Sequence, residues 1–285
     1  MKSETTLSPA KINLLLKVIR KRDDGFHDIF TVMQPVTLFD KISMDVYDGD
    51  GIRVECAHAD VPTDDSNLAF RAAALFLERT GLKKRVEIVI DKSIPVGAGL
   101  GGGSSNAAAV LMLMNDMLSA GLGTGELMEM AGSLGSDVPF FILKGPAVAT
   151  GRGEVLRRVQ LPSFHYILIN PGFKVSTQWA YGNFDLTKPS EDNMLSYSDE
   201  SFVDPLRLKD SLVNDLETVT SREFPEILTL KDLLIESGAD GALMSGSGPT
   251  VFGVFPSEGG AKGAFESLKE RLGKKGYSVF LVRGL

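Results

Sequence analysis

At 285 residues, with 43% hydrophobic and 24% charged residues, the chain can bury the cores of two domains of ordinary size. Its formal net charge of -7 disfavours a nucleic-acid partner held mainly by phosphate neutralisation, but leaves room for a small phosphorylated ligand in a locally basic pocket. The start Met-Lys-Ser-Glu-Thr-Thr has no apolar leader, and the longest apolar run, Ala107 to Met114, is too short to span a bilayer, so a cytoplasmic protein without a membrane partner is expected.

From Lys11 to Ile19, Ile12, Leu14, Leu16 and Val18 alternate with other residues, the period of a strand, and Ser8-Pro9-Ala10 ahead of it is expected to be extended. This puts Lys11 and Asn13 on one face; read alone, Lys11 is a solvated edge charge. A charged turn, Arg20 to Asp24, closes at Gly25, with Phe26-His27 following. The runs Ile29 to Leu38 and Lys41 to Tyr47, split by Phe39-Asp40, and Gly51 to His58 read as an antiparallel meander. The single cysteine, Cys56, allows neither an intrachain disulfide nor a thiolate cluster, and reads as a small buried hydrophobe. Asp64 to Asn67 supplies cap chemistry for a helix over Leu68 to Thr80, with Leu68, Ala72, Leu75 and Phe76 on its apolar face and Gly81 as its stop. A strand, Val86 to Ile90, follows.

Five of the seven residues from Gly97 to Gly103 are glycine, and the chain then enters a helix from about Ser104 that is apolar nearly all round and therefore expected to be buried. Main chain without side chains approaches a ligand closely, and open N–H groups at a helix start attract anions, so the stretch Pro95 to Ser105 reads as a phosphate cradle. It is not a Walker loop, because Gly102 is followed by Gly103 and Ser104 rather than by Lys and Ser or Thr. Gly97, Gly99 and Gly102 satisfy G-x-G-x-x-G, but Asp116 at the ribose-acid spacing falls inside the helix, which excludes a Rossmann unit. A flexible linker is disfavoured by the well-patterned elements on either side.

Downstream, Gly125 to Leu134 reads as a helix, and Ser136 or Asp137 as a cap for a helical turn that opens near Pro139. Strands are expected over Ala147 to Thr150, Val155 to Val159 and His165 to Asn170, and an irregular surface excursion over Leu186 to Arg207. Helices at Asp210 to Arg222 and Pro225 to Ser237, a hairpin turning at Gly246 to Pro249, a helix Gly259 to Lys275 and a strand Tyr277 to Val282 complete a β-α-β-β-α-β order, which suggests a ferredoxin-like second domain.

Three stretches together resemble the ordered motifs of the GHMP small-molecule kinases: Ser8-Pro9-Ala10-Lys11-Ile12-Asn13, the segment Pro95 to Ala108, and Gly241 to Thr250. Lys21 to His27, Leu134 to Phe141 and Asn214-Asp215-Leu216-Glu217 are similar to the branch of that family acting on 4-diphosphocytidyl-2-C-methyl-D-erythritol. The resemblance implies an α+β protein: a domain over residues 1–160 like domain 2 of ribosomal protein S5, and a ferredoxin-like domain over 161–285, with substrate held between them. It implies transfer of the ATP γ-phosphoryl to the substrate 2-hydroxyl, a step of non-mevalonate isoprenoid synthesis, with ATP and Mg²⁺ as cofactors and a cytidine diphosphate small molecule as partner.

By the same resemblance Asp137 is the general base and Lys11 orients it and offsets charge, while Pro95, Val96, Gly97, Ala98, Gly99, Leu100, Gly101, Gly102, Gly103, Ser104 and Ser105 hold ATP, the two serines near the metal. No side chain is assigned as a direct metal ligand. Asn13 contacts the methylerythritol portion. Phe26, where the branch usually has tyrosine, stacks on the cytosine, His27 bonds its edge, and Thr177 and Tyr181 close the base pocket. Two other readings stand beside this one: a GHMP kinase of another alcohol, such as mevalonate or homoserine, which has no need of Phe26-His27, and a ligand sensor on the same fold, which has no need of both Lys11 and Asp137.

Overall fold

Two long strands, β1 (Lys2–Lys21) and β2 (His27–Asp48), open the fold and are joined by the turn that Gly25 completes at φ 85°. A computed structural model describes residues 1–185 and 212–285. These residues fall into two units, and both strands pass from one to the other: unit 1 is Met1–Ala10, Leu38–Val96 and Gly101–Gly145, and unit 2 is Lys11–Thr37, Gly97–Leu100 and Pro146–Leu285. The expected break at Phe39-Asp40 is absent. β2 runs through it, and Asp40 takes an inward place in the alternation that buries Leu38, Ile42, Met44 and Val46.

In unit 1 the strand order is β3-β4-β2-β1, with β3 spanning Gly51–Cys56 and β4 Lys84–Asp91. β4 pairs antiparallel with β2, Ile90 opposite Ile42. β3 pairs in parallel with β4, Val54 opposite Ile88, so the expected meander is corrected. The reason is α1 (Leu68–Thr80), which returns the chain to the same end before β4 begins, as a parallel pair requires. α1 has the expected bounds: the Asn67 side chain accepts from the Ala69 amide, and Gly81 ends the helix at φ 67°. Its buried residues are Ala69, Ala72, Ala73 and Phe76, so alanines replace Leu68 and Leu75 on the innermost stripe, where α1 packs closely on α2 (Gly102–Leu118). α2 starts two residues before the expected Ser104 and is buried along Ala107 to Leu111 and at Met114. α3 (Thr124–Leu134) and α4 (Val138–Leu143) pack against it.

Unit 2 holds β5 (Ala147–Thr150), which pairs with β2 at Val32 and Val148, and β6 (Val155–Arg158), which pairs with β5. After β7 (His165–Asn170) come α5 (Thr177–Gly182), β8 (Val213–Asn214), α6 (Glu217–Glu223), α7 (Glu226–Glu236), β9 (Gly241–Met244), β10 (Val251–Phe255), α8 (Glu258–Gly273) and β11 (Ser278–Arg283). The antiparallel sheet β11-β7-β10-β9 has the strand order of a ferredoxin-like domain. Ile167, Ile169, Val251, Leu268 and Leu272 are among its core residues.

The helix expected from Asp210 is corrected in its described part. Val213 and Asn214 form β8, which pairs in parallel with β1 at Leu15 and Leu16. Leu186 to Arg207, expected as a surface excursion, lies outside the described residues, as do Asp210 and Ser211. Cys56 is half-buried. Among the described residues no helix is long and apolar enough to cross a membrane.

Candidate active site

In unit 2 the segment Gly97–Leu100 is held by contacts to its main chain, the closest of them at Gly99. Lys11 donates its amide to the Leu100 carbonyl at 3.0 Å, and Ser245 Oγ donates to the Gly99 carbonyl at 3.0 Å. A Cβ on Gly99 would stand 2.0 Å from the Ser245 carbonyl oxygen, so only glycine permits this approach. Ser245 Oγ also accepts from the Asn13 amide at 3.3 Å, and Asn214 Nδ2 donates to the carbonyls of Met244 and Gly246 at 2.7 and 2.8 Å. Unit 2 thus gathers Lys11-Ile12-Asn13, the middle of the glycine stretch and Ser245 to Gly248, with Asn214 as a clamp.

Lys11 is not a solvated edge charge. It is 4% exposed, and its Nζ donates to Asn13 Oδ1 at 2.5 Å. Asn13, itself buried, donates from Nδ2 to Thr31 Oγ1, which in turn donates to the Leu15 carbonyl. A buried ammonium is costly unless it is bonded, and Asn13 supplies part of that bonding.

Gly97, Gly99 and Gly101 have φ of 66°, 74° and 68°, with Ala98 and Leu100 buried between them. Left-handed residues at every second position turn successive amides toward one side, as in anion-binding nests. In unit 1, α2 then begins with Gly101 at the cap position and no side-chain cap, which leaves first-turn amides open to an anion. Ser104 is half-buried; Ser105 is buried, its amide donating to the Gly101 carbonyl and its hydroxyl accepting from Ser8 Oγ at 3.0 Å.

Asp137 precedes α4 at the cap position yet makes no cap hydrogen bond, so its half-buried carboxylate is not explained by helix capping. Pro139 does lie in the first turn of α4, as expected. Asp40 falls, in the sequence, in the break between two apolar runs. This fully buried carboxylate accepts from the amides of Ser93 and Ile94, from Lys92 Nζ and from Asn106 Nδ2. It resembled a turn signal, and its partners lie more than fifty residues downstream.

The residues assigned to a base pocket belong to unit 2. The His27 and Tyr181 rings stack with centroids 5.2 Å apart. Thr177 and Tyr181 lie one turn apart on α5, and the Thr177 and Ser247 hydroxyls are 3.0 Å apart. Phe26 is 51% exposed, and the Arg152 guanidinium, missed from sequence, lies 4.9 Å from its ring centre. The turn carrying Phe26 is braced by Arg22, which pairs with Asp24 and Asp28. Burial, with the nearby Lys21 charge, holds the His27 imidazole below its usual 6.5, so it is neutral at pH 7.

The model of the GHMP kinases N terminal domain matches residues 67–145, and that of the GHMP kinases C terminal domain matches residues 202–274. A 4-diphosphocytidyl-2-C-methyl-D-erythritol kinase of Syntrophotalea carbinolica is 48% identical over 277 residues, 97% of this chain and 98% of that protein. Its counterpart in Geobacter metallireducens is 45% identical over 94% of this chain and 95% of that one. A crystal structure of 4-(cytidine 5'-diphospho)-2C-methyl-D-erythritol kinase matches at TM-score 0.83 and 33% identity over 99% of both chains. Homoserine kinase from Cytophaga hutchinsonii, at TM-score 0.76 and 20% identity over 100% of this chain and 95% of that one, shares the fold. With 4-diphosphocytidyl-2-C-methyl-D-erythritol kinases nearly half identical over almost the whole length, and both GHMP domains in order, the chain belongs to that family of GHMP kinases.

Proposed function

We propose that the chain is an ATP-dependent kinase that phosphorylates the 2-hydroxyl of 4-diphosphocytidyl-2-C-methyl-D-erythritol, a step of non-mevalonate isoprenoid synthesis. Near-full-length identity to kinases of that name carries the reading. The stacked His27–Tyr181 pair supports it over a mevalonate or homoserine kinase, since neither of those alcohols carries a base to receive. A neutral imidazole both donates and accepts, which suits the edge of cytosine. Phe26 offers a ring face for stacking without the hydrogen bond of a phenol.

Phosphoryl transfer asks the protein mainly for positioning and charge stabilisation. The open amides from Gly97 to Ser104 hold the phosphates of ATP, with Pro95, Val96 and Ser105 as the frame of that segment. Asp137 accepts the proton of the 2-hydroxyl as its oxygen bonds to the γ-phosphorus and the bond to ADP breaks. Lys11 offsets the charge on the transferring group, and Asn13, which holds the Lys11 ammonium, is placed for the methylerythritol portion. Retention of both Lys11 and Asp137 favours an enzyme over a ligand sensor.

Mg²⁺ neutralises phosphate charge when bound. The half-buried Ser104 hydroxyl, in the first turn of α2, is the side chain that would stand beside it. Residues 1–160 form the ATP-binding domain and 161–285 the ferredoxin-like domain, in a cytoplasmic enzyme with no nucleic-acid partner. The experiment is an ADP-release assay of the purified chain with the cytidine substrate, mevalonate and homoserine in parallel. Turnover with the cytidine substrate alone is expected; turnover with either other alcohol instead refutes the assignment.

A further inference from the structure

Asp40 stands where the alternation of β2 calls for an apolar residue, and it is 0% exposed. A carboxylate there is unfavourable unless donors meet both of its oxygens. They do: Oδ1 accepts from the Ser93 and Ile94 amides, both at 2.9 Å, and Oδ2 accepts from Lys92 Nζ at 2.5 Å and Asn106 Nδ2 at 2.9 Å. The donors share one property. Lys92, Ser93 and Ile94 lead into the glycine stretch, and Asn106, in the first turns of α2, follows it. Asn106 Nδ2 donates its other proton to Ser8 Oγ at 2.8 Å, and Ser8 bonds to Ser105. One carboxylate therefore fastens the main chain on both sides of residues 95–105.

Lys92 adds a charge argument. Its Nζ lies 2.9 Å from where a Cβ on Gly102 would stand, beside the positive end of α2, an unfavourable place for an ammonium without a counter-charge. Asp40 supplies that counter-charge. The lysine is thereby kept at the end of the helix where an anion is to be received.

We propose that Asp40 is a positioning residue for nucleotide binding. It pre-organises the glycine segment by tying its two flanks together and holds the Lys92 charge at the start of α2. Glycine-rich backbone is conformationally permissive, and its amides bind an anion tightly only when their geometry is set beforehand. The inference rests on the reading that this segment holds ATP.

The test measures the Kd of the full chain for ATP by calorimetry, and the KM for the cytidine substrate at saturating ATP, in parent and Asp40→Asn. Asparagine keeps an oxygen for Ser93 and Ile94, but turns a donor toward Lys92 and Asn106. The expected result is a cooperatively folded variant with an ATP Kd raised about tenfold and a cytidine-substrate KM within about twofold of the parent. A merely structural defect would move both constants together, and that outcome overturns the proposal, as does an ATP Kd within about twofold of the parent. Should Asp40→Asn fail to fold, Asn106→Leu leaves the bonds of Asp40 to Lys92, Ser93 and Ile94 and removes the two that Asn106 makes, to Asp40 and to Ser8. A rise of about fivefold in its ATP Kd supports the proposal, and no rise overturns it. A parent chain that binds no ATP refutes the underlying reading instead.

Discussion

Replacing Gly99 by alanine separates the cost of a left-handed backbone from the cost of crowding. At φ +74° a side chain is strained by about 1–2 kcal/mol wherever it stands. At Gly99 the new Cβ would also lie 2.0 Å from the Ser245 carbonyl oxygen, whereas real Cβ atoms essentially never come within 3.0 Å, so the two main-chain segments must part by about 1 Å. Crowding of that kind adds about 1–3 kcal/mol, and loosening the Ser245 hydrogen bond to the Gly99 carbonyl about 1 kcal/mol more, for a total of about 3–6 kcal/mol. Gly81 is the control: at φ +67° with nothing within 4 Å, its alanine variant carries only the backbone term. Urea unfolding of both variants reads the difference, and ATP titration reports whether the displaced segment still binds. Equal destabilisation by the two substitutions, with parent-like ATP affinity in Gly99→Ala, would refute the tight joining of the glycine segment to Ser245.

Asp137→Asn is expected to lower kcat by about 10² to 10⁴ with little change in ATP affinity, because a general base acts in the transition state; single-turnover kinetics with an ATP titration check this. His27→Ala should raise the KM for the cytidine substrate and leave that for ATP unchanged, and a rise in both would remove His27 from the base pocket. The imidazole, held below 6.5 by burial and the Lys21 charge, takes up its proton at a lower pH than a free imidazole does. Cytidine-substrate KM should therefore rise as pH falls through that lowered value, a limb that His27→Gln abolishes. Between 6.5 and the lowered value the unfolded chain binds the extra proton, so the stability this group contributes falls as pH is lowered through that window, which thermal unfolding at a series of pH values would show. Asn67→Ala removes the bond to the Ala69 amide that caps α1 and should cost about 1 kcal/mol of stability in urea unfolding, without altering kcat.

Elements with local causes were legible in the sequence. α1 has a polar cap, an apolar face and a glycine stop within fifteen residues, and its bounds came out as expected. The ferredoxin-like sheet followed from the order of its elements, because that order leaves few ways to pair four strands. Features set by distant partners were hidden. Phe39-Asp40 resembled a break between strands, whereas Asp40 is an inward residue satisfied by donors that come later in the chain. The parallel pairing of β3 with β4 depends on the path of α1, and the two residues of β8 carry too little pattern to stand out from a helix. Lys11 resembled an ordinary edge lysine because nothing in the sequence reveals that Asn13 would bond its ammonium inside the fold. For the candidate site, motifs pointed to the glycine stretch and to the Phe26-His27 turn. Arg152 lies far from Phe26 in sequence and left no signal there.

Phosphorus NMR of the reaction product tests the central claim most directly. Incubating the purified chain with ATP and 4-diphosphocytidyl-2-C-methyl-D-erythritol should yield ADP and one new phosphomonoester resonance coupled to the methylerythritol carbons at the 2-position, with the diphosphate linkage to cytidine retained. A phosphoryl group on the cytidine ribose, loss of the diphosphate linkage, or ADP formed without any new ester would contradict the account.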